Sequence, residues 1–235
     1  MLVSHTKKFI FLKTVKTGGT SVEGALERYC LPPGTPTPLH ARPETVSEYG
    51  IVGARHKYLD AYEVYFSHMP AADLRHHLGE DIWNTYYKVT VVRHPYEKTI
   101  SSFFFNRSRN NAPDTEQNAE ETKQDFRAFV MKKQFARDRH IFTLNGELAI
   151  DSVLRHEMMV DDLKALNVRL GLEFEPDHLP NFKSGLRPRS ATVENLITPD
   201  VADVIDEAFQ FEFDHFGYDR LDEKRASSTE RAIQT

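Results

Sequence analysis

The sequence predicts an α/β protein whose central sheet is mostly parallel and lies between two layers of helices, a three-layer α/β/α arrangement. Segments with the composition of buried strands alternate with segments of helical periodicity, as in repeated strand–helix units. The two clearest strand segments, 9–12 and 86–92, each run directly into a turn that suits a phosphate. In open α/β sheets such turns lie beyond the carboxyl ends of the strands, where ligands bind.

The first strand and its turn predict a phosphate-binding loop. Phe9–Leu12 is an apolar run typical of a buried parallel strand, and the following helix carries its apolar residues on one face. Between them, Gly18 and Gly19 allow close approach of an anion, and the helix N-terminus adds about half a positive charge. Lys16 supplies a full charge, although a glycine turn that merely joins strand to helix is the alternative. The loop's hydroxyl donors are Thr17, Thr20 and Ser21.

The next segments predict a histidine at the end of a strand. Residues 31–55 are rich in proline and predict a surface loop, with one short helix around 44–49. Residues 62–67 are rich in strand-forming residues, and Ala71–Leu78 predicts a helix. His68 therefore falls between a strand and a helix, at the sheet edge where ligands bind.

A second phosphate site is predicted after the strand at 86–92. Arg93 follows this strand, and Pro95 suits the first turn of the next helix. Ser101 lies about two helical turns after Arg93 and can face the strand end. A guanidinium and a hydroxyl suit a terminal phosphate, because arginine forms paired, charge-assisted hydrogen bonds. Taken singly, Arg93 could pair with a surface acid, and Ser101 could be an ordinary helix serine.

The remaining segments complete a single predicted domain over residues 1–221. Residues 106–124 predict a polar loop that could act as a lid, and Asn145-Gly146 predicts a hairpin between two short strands. The other predicted elements are a helix at 125–137, a strand at 152–156, a helix at 161–170, a basic irregular segment at 176–189 and a helix that begins at Thr198. Residues 222–235 predict a polar, frayed C-terminal tail.

Composition indicates a soluble globular protein without a nucleic-acid partner. The chain has 235 residues, 40% of them hydrophobic and 28% charged, and its formal net charge is -5. This charge creates no overall field that attracts nucleic acid, so any anion site has to be local. The single cysteine excludes an internal disulfide and fits a reducing compartment, and no apolar run could span a membrane. We therefore expect a cytoplasmic protein, and no residue pattern predicts a metal site.

The order Lys-Thr-Gly-Gly-Thr-Ser at residues 16–21 resembles the 5′-phosphosulfate loop of the carbohydrate-type sulfotransferases, which use 3′-phosphoadenosine 5′-phosphosulfate (PAPS). In nucleotide triphosphatases the lysine follows the glycines, and here it precedes them. The segment from Arg93 to Ser101 resembles the 3′-phosphate site of the family, R-[DN]-P-x-x-R-x-x-S, with Arg93, Pro95 and Ser101 matching. His94 departs from the pattern, since it replaces the acid or amide.

This resemblance extends over most of the chain and implies a fold and an activity. Residues 179–187 resemble the basic segment that covers the cofactor, which implies that Lys183 and Arg187 contact it. This match and those at 153–163 and 213–218 are weaker than the two phosphate motifs. The resemblance implies the P-loop nucleotide-hydrolase-like sulfotransferase fold in a soluble, bacterial-type member of the heparan and chondroitin branch. It also implies transfer of a sulfuryl group from PAPS to an alcohol acceptor, a sugar hydroxyl of a glycan or glycolipid, with 3′,5′-ADP as product.

The implied chemistry needs a base for the acceptor hydroxyl and a positive charge for the leaving phosphate. His68 is the candidate base, because its ordinary pKa of about 6.5 suits proton uptake and it resembles the Gly-His base of the family, with Ser67 in place of glycine. Glu157 and His94 are alternatives. Lys16 suits the leaving phosphate, and the resemblance implies no metal. Two other functions stay open: a nucleotide or small-molecule kinase, and an inactive nucleotide-binding module.

No motif defines the acceptor. Cationic residues in the predicted loops could border an acidic sugar, although charged loops are more often simply solvated. These residues are Arg42, Arg55, His56, Lys57, Arg107 and Arg109.

Overall fold

A computed structural model describes residues 1–36, 41–55, 63–110, 119–179 and 187–221. Lys183 and the tail 222–235 lie outside these residues, as do His56 and Lys57 and residues 111–118 of the loop predicted at 106–124. The prediction of a loop is wrong for residues 106–109 and 119–124, which are helical. The described residues form two compact units. The first comprises the described parts of Met1–Val92 and Asp138–Phe182, and the second those of Arg93–Arg137 and Lys183–Thr235. The single domain over residues 1–221 stays a prediction.

The strands of the described residues all belong to the first unit: β1 (Leu2–Ser4), β2 (Phe9–Leu12), β3 (Thr45–Ser47), β4 (Gly50–Val52), β5 (Tyr87–Val92), β6 (Thr143–Leu144), β7 (Glu147–Leu148) and β8 (Ser152–Arg155). The α-helices in chain order are α1 (Gly19–Leu26), α2 (Ala71–Leu78), α3 (Glu80–Thr85), α4 (Pro95–Arg109), α5 (Ala119–Met131), α6 (Met159–Leu170), α7 (Val193–Leu196), α8 (Pro199–Ala208) and α9 (Gln210–Phe216). Of these helices, α4, α5 and α7 to α9 belong to the second unit.

Six strands of the first unit form one mixed sheet in the order β3-β4-β1-β2-β5-β8. β5 pairs in parallel with β2 and β8, whereas the other three pairings are antiparallel. The prediction of a mostly parallel sheet is therefore wrong. β1 is joined to β2 by the four residues between Ser4 and Phe9, and a connection this short permits only antiparallel pairing. The three-layer arrangement stays a prediction.

Local sequence explains two further outcomes. Residues 44–49 form β3 and the turn before β4 rather than the predicted helix, because Thr45 and Val46 are β-branched and favour a strand. The hairpin at Asn145-Gly146 is confirmed. These two residues join β6 to β7 with φ values of 52° and 89°, as a type I′ turn requires.

Buried residues fix the strands that lead into the site. Alternate side chains of β2 enter two different apolar clusters, because successive residues of a strand point to opposite faces of the sheet. Phe9 and Phe11 pack in the cluster that includes residues of α1 and α6, while Ile10 and Leu12 pack in the cluster that includes residues of α2. All four side chains are fully buried. The carboxyl ends of the parallel strands β2, β5 and β8 are thereby held at one edge of the sheet.

The second unit is helical and its core is largely aromatic. Phe103 of α4 makes edge-to-face contacts with Phe126 and Phe129 of α5, at centroid distances of 5.4 and 5.5 Å. Residues of α7, α8 and α9 complete this core. Among all described residues, no helix combines the length and the apolar character that a membrane crossing requires.

Candidate active site

The loop between β2 and α1 has a strained backbone. Lys16 has a φ of 61° and Gly18 a φ of 82°, both in the left-handed region. For a lysine this conformation costs on the order of 1–3 kcal/mol, and such strain clusters at functional sites. Gly18 is the N-cap of α1, and among the described residues no side chain makes a capping hydrogen bond there. The N–H of Ser21 donates to the carbonyl of Gly18 over 3.0 Å, so the N–H groups of Gly19 and Thr20 are the ones that can serve an anion.

Side chains outside the loop hold its first half. The N–H of Val15 donates to the carboxylate of Asp138 over 2.6 Å, and Asp138 is buried. The hydroxyl of Thr14 donates to the carbonyl of Val91 on β5. No motif in the sequence predicted Asp138, which precedes a short 3₁₀ turn far along the chain. These bonds attach the start of the loop to the neighbouring strand and to a buried acid.

His156 is a further residue of this loop region that no motif predicted. It directly follows β8, and its Nδ1 lies 3.0 Å from the carbonyl oxygen of Thr17. Nδ1 must donate here, because a carbonyl only accepts. A Cβ on Gly18 would lie 2.8 Å from the same nitrogen, so only glycine fits beside the ring. In the sequence, His156 was the last residue of the strand predicted at 152–156, whereas the structure ends β8 at Arg155 and places His156 directly after it. The described residues 63–67 of the strand predicted at 62–67 make only an isolated bridge at Phe66, so His68 does not follow a strand as Arg93 does.

The predicted hydroxyl donors of the loop have different environments. Thr17 Oγ1 lies 2.8 Å from Thr14 Oγ1, and the proton of Thr14 goes to a backbone carbonyl. The hydroxyl of Thr17 therefore donates to Thr14, inside the loop. Thr20 and Ser21 lie in the first turn of α1 and are half-buried.

His68 lies against the strand end that leads into the loop. Its Nδ1 is 3.0 Å from the carbonyl oxygen of Lys13, so Nδ1 carries a proton and Nε2 carries the lone pair of the neutral ring. Its φ of 66° also lies in the left-handed region, which is strained for histidine. Burial, and then the ammonium group of Lys13, lower the pKa of His68 to about 4. His68 is therefore a neutral imidazole at pH 7.

The hydroxyl next to His68, Ser67 Oγ, is buried without a partner among the described residues. Buried polar atoms nearly always have a partner, and leaving one unpaired costs about 1–3 kcal/mol.

In the second unit, two of the predicted cofactor residues meet on one acid. Arg93 Nη2 lies 3.0 Å from Glu97 Oε2, and Arg187 Nη1 lies 2.5 Å from the same oxygen. Partial burial alone would raise the pKa of Glu97, but the hydrogen bonds and charges of Arg187 and Arg93 hold it below its ordinary value. Ser101 is one helical turn after Glu97 in α4, on the same face. No motif predicted Glu97.

His94 has a structural role in α4. Its Nδ1 accepts a hydrogen bond from the N–H of Tyr96 over 3.3 Å, which makes His94 the N-cap of the helix. An Asp or Asn at this place would make the same bond, so the departure from the resembled pattern keeps the cap. The ring also packs against Tyr96, Phe213 and Tyr218. This engagement favours His68 over His94 as the base.

The other predicted residues contribute less. Glu157, the second alternative base, lies exposed in the 3₁₀ turn His156–Met158. Lys183 lies outside the described residues. In the part of the chain that the structure describes, no three side chains of His, Cys, Asp or Glu converge as a metal site would require.

Comparison with models of protein families identifies a family for this chain. The model of a family described as the sulfotransferase family matches residues 1–219, which is nearly the whole chain. No curated protein and no solved structure matches the chain.

Proposed function

Because the chain belongs to the sulfotransferase family, we propose that it transfers a sulfuryl group from PAPS to a hydroxyl group and releases 3′,5′-ADP. One observation carries this proposal: the neutral imidazole of His68 lies on the carbonyl of Lys13, three residues before the strained Lys16. A group able to accept a proton and a loop able to hold an anion thus occur together in the first unit.

The loop fits the 5′-phosphosulfate end of PAPS. Gly18 and Gly19 allow the anion to approach the backbone, and the N–H groups of Gly19 and Thr20 at the start of α1 are its donors. Lys16 supplies the positive charge, and Thr20 and Ser21 supply hydroxyls in the first turn of the helix. We assign to Thr17 a main-chain role, since its hydroxyl is engaged with Thr14.

The 3′-phosphate is assigned to the second unit. Arg93 and Arg187 offer two guanidinium groups already oriented by Glu97. Ser101 follows on the same face of α4, and Lys183 belongs to the same assignment on resemblance alone. Arginine pairs suit a terminal phosphate, because each fork forms two charge-assisted hydrogen bonds.

PAPS supplies sulfur bonded to a phosphate leaving group, so one S–O bond forms to the acceptor as the S–O bond to the 5′-phosphate breaks. His68 Nε2 takes the proton of the acceptor hydroxyl, while its Nδ1–H stays on the Lys13 carbonyl. Lys16 and the N–H groups of α1 stabilise the phosphate oxygen that receives the electron pair. The acceptor that we propose is a sugar hydroxyl of a glycan or glycolipid.

Labelled PAPS and a panel of sugars, glycolipids and small alcohols test this function, together with calorimetric binding of 3′,5′-ADP. We expect label to appear on a sugar-bearing acceptor and 3′,5′-ADP to bind. Transfer from magnesium ATP without use of PAPS would instead identify a kinase. Tight binding of 3′,5′-ADP without transfer to any acceptor would identify an inactive nucleotide-binding module.

A further inference from the structure

The carboxylate of Glu23 is fully buried and holds three cationic side chains. Lys13 Nζ lies 2.6 Å from Oε2, Arg55 Nη2 lies 2.5 Å from Oε2, and Arg42 Nη2 lies 3.1 Å from Oε1. The amino group of Met1 is 3.4 Å from Oε1. Arg42 and Arg55 are each only 4% exposed, so the prediction that they border an acidic sugar is wrong.

Buried ion pairs of this kind are a poor source of net stability. Removing charges from water costs several kcal/mol for each ion, and apolar residues of similar volume often stabilise a fold as well or better. Burial alone would raise the pKa of Glu23, but the surrounding cations hold it well below its ordinary value. Glu23 is therefore charged at any working pH. Net stability therefore does not account for this buried charge, whereas a role in positioning the residues bound to it would.

The ion pair between Lys13 and Glu23 spans the phosphate loop. Lys13 is the first residue after β2, and Glu23 lies in the second turn of α1. The pair thus closes the segment 14–22 at both of its ends. The stem of Lys13 also packs under the loop, since a Cβ on Gly19 would lie 3.2 Å from Lys13 Cγ.

The same carboxylate fixes both segments next to His68. The carbonyl of Lys13 accepts the hydrogen bond of His68 Nδ1. Arg55 is connected to the segment that precedes His68. Its neighbour Ala54 forms an isolated β-bridge with Phe66, and the carbonyl of Ala54 accepts a hydrogen bond from the N–H of Ser67 over 2.8 Å. Glu23 binds the side chains of Lys13 and Arg55, so it holds the chain on either side of the imidazole.

We propose that Glu23 is a positioning residue that sets the shape of the phosphate loop and the place of His68 through its ion pairs with Lys13 and Arg55. This inference rests on the proposed function for its catalytic consequence. Its structural consequence, the order of the loop, stands without any nucleotide. Glu23 touches neither cofactor nor acceptor in this scheme.

Glu27 provides a matched control. It lies one turn after Glu23, is equally buried and binds Arg42, but its nearest approach to Arg55 is 3.9 Å. Replacing either acid by glutamine removes one buried negative charge. If the cluster served stability alone, exchange of the loop amides would follow the global free energy of unfolding in both variants, as measured by urea denaturation. A positioning role predicts that these amides exchange faster in Glu23→Gln than its global destabilisation explains, and that Glu27→Gln shows no such excess.

Amide hydrogen exchange without nucleotide tests the structural half. After correction for the change in the global free energy of unfolding, we expect residues 14–21 to exchange at least tenfold faster in Glu23→Gln than in the unaltered protein, and within threefold of it in Glu27→Gln. Equal exchange in all three proteins, or equal acceleration in both variants, would overturn the inference. Lys13→Met gives a second route if Glu23→Gln does not fold, because it removes the ion pair across the loop and leaves Arg42 and Arg55 on Glu23. It should accelerate the same amides, and unchanged exchange would overturn the inference.

Calorimetry with 3′,5′-ADP and turnover of PAPS test the catalytic half. Glu23→Gln and Lys13→Met should weaken the binding of 3′,5′-ADP roughly tenfold and lower kcat by one to two decades. In Glu27→Gln both the affinity and kcat should stay within threefold of the unaltered protein. Wild-type affinity and kcat in Glu23→Gln would overturn the catalytic role even if the amides exchange faster. A failure of the proposed function is recognised separately: the unaltered protein would then neither bind 3′,5′-ADP nor use PAPS, whatever the exchange rates.

Discussion

Arg93 and Arg187 donate to the same oxygen of Glu97, at 3.0 and 2.5 Å. The two arginines are 94 positions apart in the chain, and each was predicted as a cofactor residue from a different segment of the sequence. The shared acid orders both guanidinium groups before any ligand arrives, which lowers the side-chain entropy that binding would cost. A terminal phosphate would meet two arginines already close together.

Removing either arginine should weaken the binding of 3′,5′-ADP more than the binding of AMP, which lacks the 3′-phosphate. We expect Arg93→Ala and Arg187→Ala each to cost roughly 10- to 100-fold in affinity for 3′,5′-ADP, since charge-assisted hydrogen bonds contribute about 1.5–3 kcal/mol. The affinity for AMP should change less than threefold. Calorimetry measures both. Arg127→Ala is the control, because Arg127 forms an exposed ion pair with Asp200 in the same unit. Equal losses for the two nucleotides would remove the 3′-phosphate from this site.

Replacing Lys16 should lower activity without lowering the free energy of unfolding. Its positive φ favours glycine, so Lys16→Gly should keep or raise the free energy of unfolding, by up to about 1 kcal/mol, as the strain is relieved. The same variant should lower kcat at least 10²- to 10³-fold, because the leaving phosphate loses its charged donor. Urea denaturation and turnover of PAPS measure the two effects. Lys16→Ala should lose the same activity and be less stable than Lys16→Gly. Retained turnover in either variant would exclude Lys16 from catalysis.

The elements that the sequence predicted well are those set by local chemistry. β2, β5, α2 and the hairpin at Asn145-Gly146 follow from apolar runs, helical periodicity and turn residues, and the structure confirms them. β1 and β3 are only three residues long, and their pairing depends on contacts between distant segments. No pattern in so short a run distinguishes a strand from a loop, and this is why the sheet was predicted as mostly parallel.

The site shows the same division. Motif residues such as Lys16 and Arg93 could be chosen because their chemistry and their position after a strand are visible in the sequence. Asp138, His156 and Glu97 could not be chosen in this way, since each acts on a backbone or side-chain group that only the fold brings near. Arg55 was predicted to lie in a surface loop, because its buried partner cannot be recognised in the sequence. A charge in a proline-rich segment is normally solvated, and its burial on Glu23 depends on a partner 32 residues earlier.

His156 should act on the loop through its Nδ1–H. His156→Asn keeps a donor near this position, whereas His156→Phe keeps a ring of similar shape but leaves the carbonyl of Thr17 without this partner. We expect His156→Phe to weaken 3′,5′-ADP roughly tenfold, and His156→Asn to stay within threefold, as measured by calorimetry. Similar losses in both variants would mean that the ring matters for its packing against Gly18 and not for its hydrogen bond.

His68 should impose a specific pH dependence on stability. Its pKa falls from an ordinary 6.5 to about 4 on folding, because burial, the ammonium of Lys13 and the amino group of Met1 outweigh the Lys13 carbonyl and the carboxylate of Glu23. Between these values the unfolded chain binds more protons than the folded one. Stability is therefore full above pH 6.5 and is lost as the pH falls towards 4, by up to about 3 kcal/mol from this group.

The variant His68→Asn tests both the contribution of His68 to the pH dependence of stability and its role as the catalytic base. Asparagine tolerates the positive φ, and its amide can donate to the Lys13 carbonyl. Urea denaturation between pH 4 and 7 should show the unaltered protein losing more stability on acidification than His68→Asn, whereas His76→Asn, at an exposed histidine of α2, should follow the unaltered protein. Turnover of His68→Asn should fall by about two to four decades with little change in 3′,5′-ADP affinity. Parallel stability curves for His68→Asn and the unaltered protein would show that His68 is not held as a neutral imidazole, and near-normal turnover would assign the proton transfer to another group.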